Sequence, residues 1–410
     1  MHILFLTDNF APEFNAPASR TYEHCREWVR AGHKVTVITC APNFPKGKVF
    51  DGYRNRLWQS EIMDGIRVIR VWTYITANEG FIKRVLDYLS FMISSVLAAP
   101  FVRGVDVVVG TSPQFFTVCA ASFTARLKRV PWVFELRDLW PASIRAVGAM
   151  NDSLILDLFE KMEMYLYRRA DAIVSVTNSF RDILIARGID KNKISVVTNG
   201  VDIGRFTPRP KDTDLVTRHQ LEGKFVAGYI GTLGMAHALD TILDAAKILG
   251  SAPDASRFQF ILLGTGANKN ALVDRVRTEQ IDNVLFVDSV PKDEVVRYWS
   301  LLDVSIIHLK KDELFTTVIP SKLFECMGMS IPVLHGVEGE SADIVKMENV
   351  GIVFEPENAR ALSDGLRELA GNQSLYSQIR ENGPRSAVKY DRSVLAARML
   401  EIISSVVQKK

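Results

Sequence analysis

At 410 residues and 47% hydrophobic content, the chain is longer than one core usually supports, and two domains of similar size are expected. A net charge of +3 on 24% charged residues, with no basic run and no basic helix interleaved with aromatics, argues against a nucleic-acid partner. The four cysteines, Cys25, Cys40, Cys119 and Cys326, lie far apart without a CxxC pair and read as reduced, buried thiols of a cytoplasmic protein.

In chain order, Ile3 to Leu6 form a first strand whose apolar run stops at Asp8, and with no basic leader before it a secretion signal is not expected. A loop with Pro12 and Pro17 precedes a helix from about Ser19 to Ala31, which carries Tyr22, Cys25 and Val29 on one face and stops at Gly32. Lys34 to Thr39 is then a second strand, completing the βαβ unit of a parallel sheet. Leu89 to Val102 is weakly polar but shorter than the roughly 20 residues a membrane span needs. It reads as a buried helix. The alternative is partial insertion in a membrane interface, because Lys83, Arg84 and Arg103 flank it. Val105 to Val109, Trp132 to Leu136, Ala172 to Val176 and Ile194 to Val197 are further short strands separated by helical stretches such as Ile155 to Ala170. The first half is thus expected to be a doubly wound α/β domain.

A polar stretch from Thr207 to Asp214 marks a hinge region. Its Asp212-Thr213-Asp214 triplet has no strand before it and reads as a solvated charge cluster, and no metal is expected. Alternation then restarts with Phe225 to Ile230, Leu239 to Leu249, Gln259 to Leu263, Val284 to Val287, Val304 to Ile307, Ile331 to Leu334 and Ile352 to Phe354. The last stretch, Ser393 to Val407, repeats apolar residues at helical spacing and is expected to pack back on the first domain. The domains are set at residues 1–205, joined by a C-terminal helix over 391–410, and at residues 206–390.

Chemistry concentrates at strand ends. The turn Gly231-Thr232-Leu233-Gly234 lets backbone amides approach a phosphate. Gly264-Thr265-Gly266 permits close approach after the next strand, and Ser289 and Val290 could rim a base pocket. In Pro320-Ser321-Lys322-Leu323-Phe324-Glu325, proline and serine mark a helix start where free amides and the Lys322 ammonium meet a diphosphate. Glu325, one turn beyond Ser321, is placed to accept ribose hydroxyls. In the first half, Arg137 and Asp138 follow a strand, where Asp138 can take a proton from a hydroxyl and Arg137 can neutralise phosphate, an internal ion pair being the alternative. The small residues Asn15 and Ala16 could admit an acceptor, with Arg20 as an anion contact. His237 could touch phosphate after Gly234, while His308 and His335 follow apolar strands. No GxSxG, HExxH or Walker pattern is found.

With these segments, and with Asn199-Gly200-Val201-Asp202 followed by Phe206 and Pro208, the chain resembles glycosyltransferase family 4 over nearly its whole length. Arg137 to Pro141, Gly231 to Gly234 and Pro320 to Lys322 are similar to bacterial O-antigen and capsule transferases of the N-acetyl-L-fucosaminyl type. The resemblance implies a GT-B fold, α/β with two Rossmann-like doubly wound domains facing a cleft, and a retaining nucleotide-sugar-dependent hexosyltransferase. Where the family has a glycine pair in its first loop this chain has Asn15 and Ala16, and Arg137 stands where many members have histidine. Thr232 and His237 occupy the positions of the family's diphosphate-binding arginine and lysine, and Thr317 that of the first of two spaced carboxylates. The resemblance therefore shifts phosphate neutralisation to Lys322, the amides of Val318 and Ile319, and Arg137. It implies a UDP-sugar donor with no cofactor, a polyprenyl-diphosphate-linked glycan acceptor, and a cytoplasmic enzyme peripheral to the inner face of the plasma membrane. A GT-B UDP-sugar 2-epimerase is the alternative activity.

Overall fold

The computed structural model describes residues 1–13, 15–44, 46–76, 81–140 and 154–409, apart from the side chains of 81–82, 154–155 and 292–293. Pro141 lies outside the described residues. The chain divides into two compact units, one of residues 1–199 with 392–410 and the other of residues 200–391.

In the first unit, β1 (His2–Leu6) is buried along its whole length. Its side chains alternate: Ile3 and Phe5 enter one core, and Leu4 and Leu6 the other, as a strand covered on both faces requires. Helix α1 (Ala16–Arg30) begins ahead of Ser19 because Asn15 caps it, accepting the Ala18 amide at 2.8 Å, with Pro17 in the first turn. After β2 (Lys34–Cys40) comes a hairpin that the sequence pattern does not announce, β3 (Trp58–Met63) and β4 (Ile66–Val71). Its turn, Asp64-Gly65, has positive φ at both residues, as a tight two-residue connection demands. Then follow α2 (Phe81–Ala98), β5 (Val107–Thr111), α3 (Phe115–Lys128), β6 (Trp132–Leu136), α4 (Leu154–Arg169), β7 (Ala172–Ser175), α5 (Asn178–Ala186) and β8 (Ile194–Val196). The sheet order is β3-β4-β2-β1-β5-β6-β7-β8, parallel except for the β3 and β4 pair.

Helices α2, α3 and α4 cover one face of this sheet. The expectation of a buried helix over Leu89 to Val102 is corrected here. Phe91 and Ala98 reach the core, but Ile93, Leu97 and Phe101 point to solvent, since α2 lies in the outermost layer with one side against the sheet and the other uncovered.

The second unit runs α6 (Thr213–Arg218), β9 (Phe225–Ile230), α7 (Asp240–Gly250), β10 (Phe258–Leu263), α8 (Lys269–Thr278), β11 (Val284–Val287), α9 (Lys292–Trp299), β12 (Val304–His308), α10 (Lys322–Gly328), β13 (Val333–Gly336), α11 (Glu340–Glu348), β14 (Gly351–Val353), α12 (Ala359–Gly371) and α13 (Gln373–Ala387). Its all-parallel sheet has the order β11-β10-β9-β12-β13-β14. Asp212 of the polar triplet caps α6 through the Leu215 amide and pairs with Arg297 at 2.6 Å. The final helix, α14 (Arg392–Gln408), belongs to the first unit. Trp28 Nε1 donates to Ala396 O at 2.9 Å, and Leu395, Met399 and Ile403 join the core beneath α1.

Candidate functional site

In the second unit the chain leaves β9 for β10 on one side, and β12 flanks β9 on the other. Loops at such a switch point diverge and leave a crevice outside the carboxyl ends of the strands. The loop after β9 starts at Gly231, with φ of +149°, and the loop after β10 at Gly264, with φ of +148°. A Cβ on Gly264 would stand 1.9 Å from Gly231 O, and one on Gly231 would stand 3.0 Å from Lys322 Nζ. These two positions thus let three chain segments meet.

Lys322 is brought to that meeting point. Its Nζ lies 3.7 Å from the centroid of the Tyr229 ring, and the Tyr229 hydroxyl donates to Thr232 O at 2.8 Å, tying the ring to the turn. Burial lowers the Lys322 pKa to about 8, against the opposing fields of Cys326 and Glu325. A partly desolvated ammonium aimed at a glycine turn gains most from an arriving dianion. Glu325 is partly exposed, one turn further along α10.

The amide supply differs from what the sequence suggests. Gly231 N donates to Leu263 O and Leu233 N to Thr265 O, which leaves the Thr232 and Gly234 amides without an acceptor among the described residues. The Val318 amide is corrected: it donates to Phe315 O at 3.2 Å, while Ile319 N has no acceptor among the described residues. At the start of α10, Leu323 and Phe324 donate to Pro320 O and Ser321 O. The Lys322 ammonium, rather than a row of open amides, is therefore the principal anion contact this segment can offer. Thr317 spends its hydroxyl proton on Leu314 O at 2.6 Å and keeps its lone pairs. Ser289 is exposed and Val290 half-buried beyond the end of β11.

His237 sits beside Gly234, its Cδ2 being 3.6 Å from where a Cβ would be, and its ring meets Tyr229 edge-on. Burial, with Lys322 nearby, lowers its pKa to about 4. It faces the turn as a neutral hydrogen-bonding ring, not a cation. His308 explains how that loop is held: Nδ1 bonds His237 O at 2.8 Å and Nε2 accepts the Glu357 amide at 2.8 Å, which fixes its tautomer. His335 pairs with Ser341 Oγ at 2.7 Å and is structural.

In the first unit, the Ser112 hydroxyl accepts the amides of Arg137 at 2.8 Å and Asp138 at 3.3 Å, fixing the turn after β6. Arg137 Nη1 donates to Pro17 O at 3.3 Å, and burial lowers its pKa to about 10, opposed by Glu135. Asp138 is partly exposed at the end of the strand, and Ala16 is exposed. Asn15 is engaged as the α1 cap, with its Nδ2 donating to Asn9 Oδ1 at 2.6 Å.

Arg20 corrects the expected anion contact. It is 3% exposed, and its Nε, Nη1 and Nη2 bond Glu135 Oε1, Thr198 O and Val197 O. With its donors committed inward, Arg20 fastens the chain after β8 to β6. Burial favours a protonated Glu135, but the charges of Arg20 and Arg137 override it and hold the carboxyl below its usual range.

Three carboxyls that the sequence reasoning passes over gather at the ends of β1 and β2. Asp8, Glu13 and Asp87 are each raised to about 7, chiefly by burial and then, for Asp8 and Asp87, by one another's neighbourhood: Asp87 acts on Asp8 and Glu13 on Asp87. Asp8 Oδ1 and Glu13 Oε2 are buried without a hydrogen-bond partner among the described residues. An acid directly after the first strand, at Asp8, is the one signal that could have flagged them. Near as they are, these carboxyls do not converge on one point, and no three His, Cys, Asp or Glu side chains among the described residues are placed to hold a metal ion together.

Comparison with known proteins agrees with both halves. Residues 15–200 match the glycosyl transferase 4-like domain, and residues 212–386 match the glycosyl transferases group 1 domain. The chain is 24% identical over 382 residues to the Escherichia coli (strain K12) protein that bears the name colanic acid biosynthesis glycosyl transferase WcaI, covering 90% of this chain and 92% of that one. It is 23% identical to a GDP-mannose-dependent alpha-mannosyltransferase of Mycobacterium tuberculosis (strain CDC 1551 / Oshkosh), over 92% and 90% of the two chains. The fold is similar to that of Anabaena Alr3699/HepE, solved in complex with UDP, with a TM-score of 0.70, 16% identity, and coverage of 99% of this chain and 100% of that one. Two Rossmann-like α/β units, each matched by its own transferase domain, place this chain among the GT-B glycosyltransferases, with a glycosyl transferase 4-like domain followed by a group 1 domain.

Proposed function

We propose that the enzyme moves a sugar, an N-acetylated amino or deoxy sugar such as N-acetyl-L-fucosamine, from a UDP donor onto a polyprenyl-diphosphate-linked glycan during surface polysaccharide synthesis, retaining the anomeric configuration. The observation that carries the reading is Lys322, a desolvated ammonium set against the Gly231 turn. Charge develops on the diphosphate as its bond to the sugar breaks. A preorganised cation there supplies the largest kind of electrostatic stabilisation available to such a reaction.

Glu325 binds the ribose hydroxyls, and the neutral His237 donates to or accepts from the phosphates or the sugar. The leaving phosphate takes the acceptor proton on the same face, and Asp138 orients the acceptor hydroxyl. The UDP complex of a fold relative supports the donor class, and the colanic acid name of one relative supports the polysaccharide setting. The site of action is the inner face of the plasma membrane, where such acceptors are anchored.

The test is incubation of purified protein with UDP-, GDP- and dTDP-sugars, with and without the lipid-linked acceptor, followed by NMR of the anomeric proton. Glycosylated acceptor of unchanged anomeric configuration, formed from UDP-sugar, is expected. Thermal stabilisation by GDP alone would overturn the donor class, and epimerised UDP-sugar in the absence of acceptor would replace transfer by isomerisation.

A further inference from the structure

The outer surface of the first unit combines two features that its core does not need. One is apolar. The stretch from Lys83 to Phe101 has a mean hydropathy of 1.2 over 19 residues, yet 22% of it is buried. Leu97 is 66% and Phe101 70% exposed, and Trp58 of the edge strand β3 packs edge-on against Phe101. The helix α2 lies beside α3, and α3 beside α4; these neighbours continue the surface with exposed Phe123, Leu127, Met162 and Tyr165.

The other feature is a groove of about 790 Å³ between α3 and α4. Four cationic side chains line it, Arg126, Arg129, Lys161 and Arg169, over an apolar wall that includes Phe123, Met162 and Tyr165. The one acid in the lining, Asp171, accepts the Trp132 amide at 2.9 Å and so is committed to the start of β6. Because Trp132 opens β6 and Asp171 precedes β7, the groove lies at the opposite end of the strands from Asp8, Arg137 and Asp138. It is a separate site from the acceptor end.

We propose that the outer face of the α2, α3 and α4 layer docks on an anionic phospholipid bilayer, and that the groove seats a lipid headgroup phosphate. This rests on the reading that the acceptor is membrane-anchored, and deepens it by assigning the surface that makes the contact. An apolar helix face in the plane of the interface buries its side chains among acyl chains while lysine and arginine extend to the phosphates. A second copy of the chain fits less well, since a two-fold contact through this patch would bring its own cationic groove against itself.

Co-sedimentation with phosphatidylcholine vesicles, with and without phosphatidylglycerol, tests the assignment. The wild type is expected to bind the anionic vesicles, less so as salt rises. The triple variant Arg126→Gln/Arg129→Gln/Lys161→Gln should partition on the order of a hundredfold more weakly, from about a fivefold effect for each of the three basic residues near the surface. Ile93→Ser/Leu97→Ser should weaken binding without changing its salt dependence. All five side chains are exposed, so unchanged unfolding midpoints are expected. Equal binding of triple variant and wild type would overturn the proposal, as would equal affinity for neutral vesicles, or a dimer that Leu97→Ser dissociates. Transfer to a short-chain, water-soluble acceptor should persist in both variants. If instead no acceptor bearing a lipid is ever used while vesicle binding stands, the acceptor reading fails and the docking face survives.

Discussion

Replacing Lys322 by Met separates binding from stability, because the same ammonium is expected to serve one at the expense of the other. Its pKa of about 8, lowered from 10.5 by burial, corresponds to a cost for the charged form of about 3 kcal/mol. Partial exposure of the side chain and the Tyr229 face reduce that to about 1–3 kcal/mol. The sign is set by proton counts: between pH 8 and pH 10.5 the unfolded lysine holds more proton than the folded one, and stability rises with pH through that window. Lys322→Met should abolish this rise and leave the ligand-free protein at least as stable as the wild type at pH 7. Loss of the charge-assisted contact to a diphosphate should cost about 1.5–3 kcal/mol, or about 10- to 150-fold in UDP affinity. At UDP about one hundred times the wild-type Kd, the wild type gains about 2.7 kcal/mol and a variant weakened a hundredfold about 0.4 kcal/mol. Urea unfolding at pH 7 with and without UDP reads both quantities. A variant that is less stable without ligand, yet keeps the full UDP gain, would refute the argument at both ends.

Other substitutions probe the rest of the site. Gly264→Ala forces a Cβ to 1.9 Å from Gly231 O at a positive φ and should cost about 2–5 kcal/mol; Gly188→Ala, also at positive φ but with open space around it, should cost about 1–2 kcal/mol, and equal unfolding midpoints for the two would contradict the close approach. Arg20→Met leaves Glu135 buried without its partner and should destabilise by about 3–5 kcal/mol, while UDP affinity, read by calorimetry, stays at the wild-type value. Asp8, raised to about 7, holds more proton when folded than unfolded between about pH 4 and pH 7, and its contribution to stability is lost as pH rises through that range. Asp8→Asn should therefore flatten the fall in unfolding free energy between about pH 4 and pH 7, and an unchanged slope would show that Asp8 is ionised in the folded protein.

Much of the fold is readable from periodicity. Strands such as Trp132–Leu136 and Phe225–Ile230 have the bounds that their largely apolar runs indicate, because a strand covered on both faces admits a polar residue such as Glu135 only with a buried partner, here Arg20. The hairpin of β3 and β4 escapes that reading. Its first strand lies at the sheet edge with every other residue half-exposed, and edge strands carry a mixed pattern that local sequence does not distinguish from a loop.

The site divides in the same way. Glycines at strand ends and a lysine at a helix start are visible in the chain itself, since the chemistry of phosphate contact restricts the residue types that can stand there. Which of these groups remain open is decided by tertiary packing. Arg20 and the Val318 amide have partners far along the chain or across a turn, and Asp8, Glu13 and Asp87 meet only when β1, β2 and α2 come together. The sequence by itself determined the two alternating α/β units and the residues that could carry charge at their strand ends, because burial and backbone geometry act locally. Only the folded structure decided which charges are spent inside and which face a ligand, because desolvation and pairing depend on neighbours that chain order does not reveal.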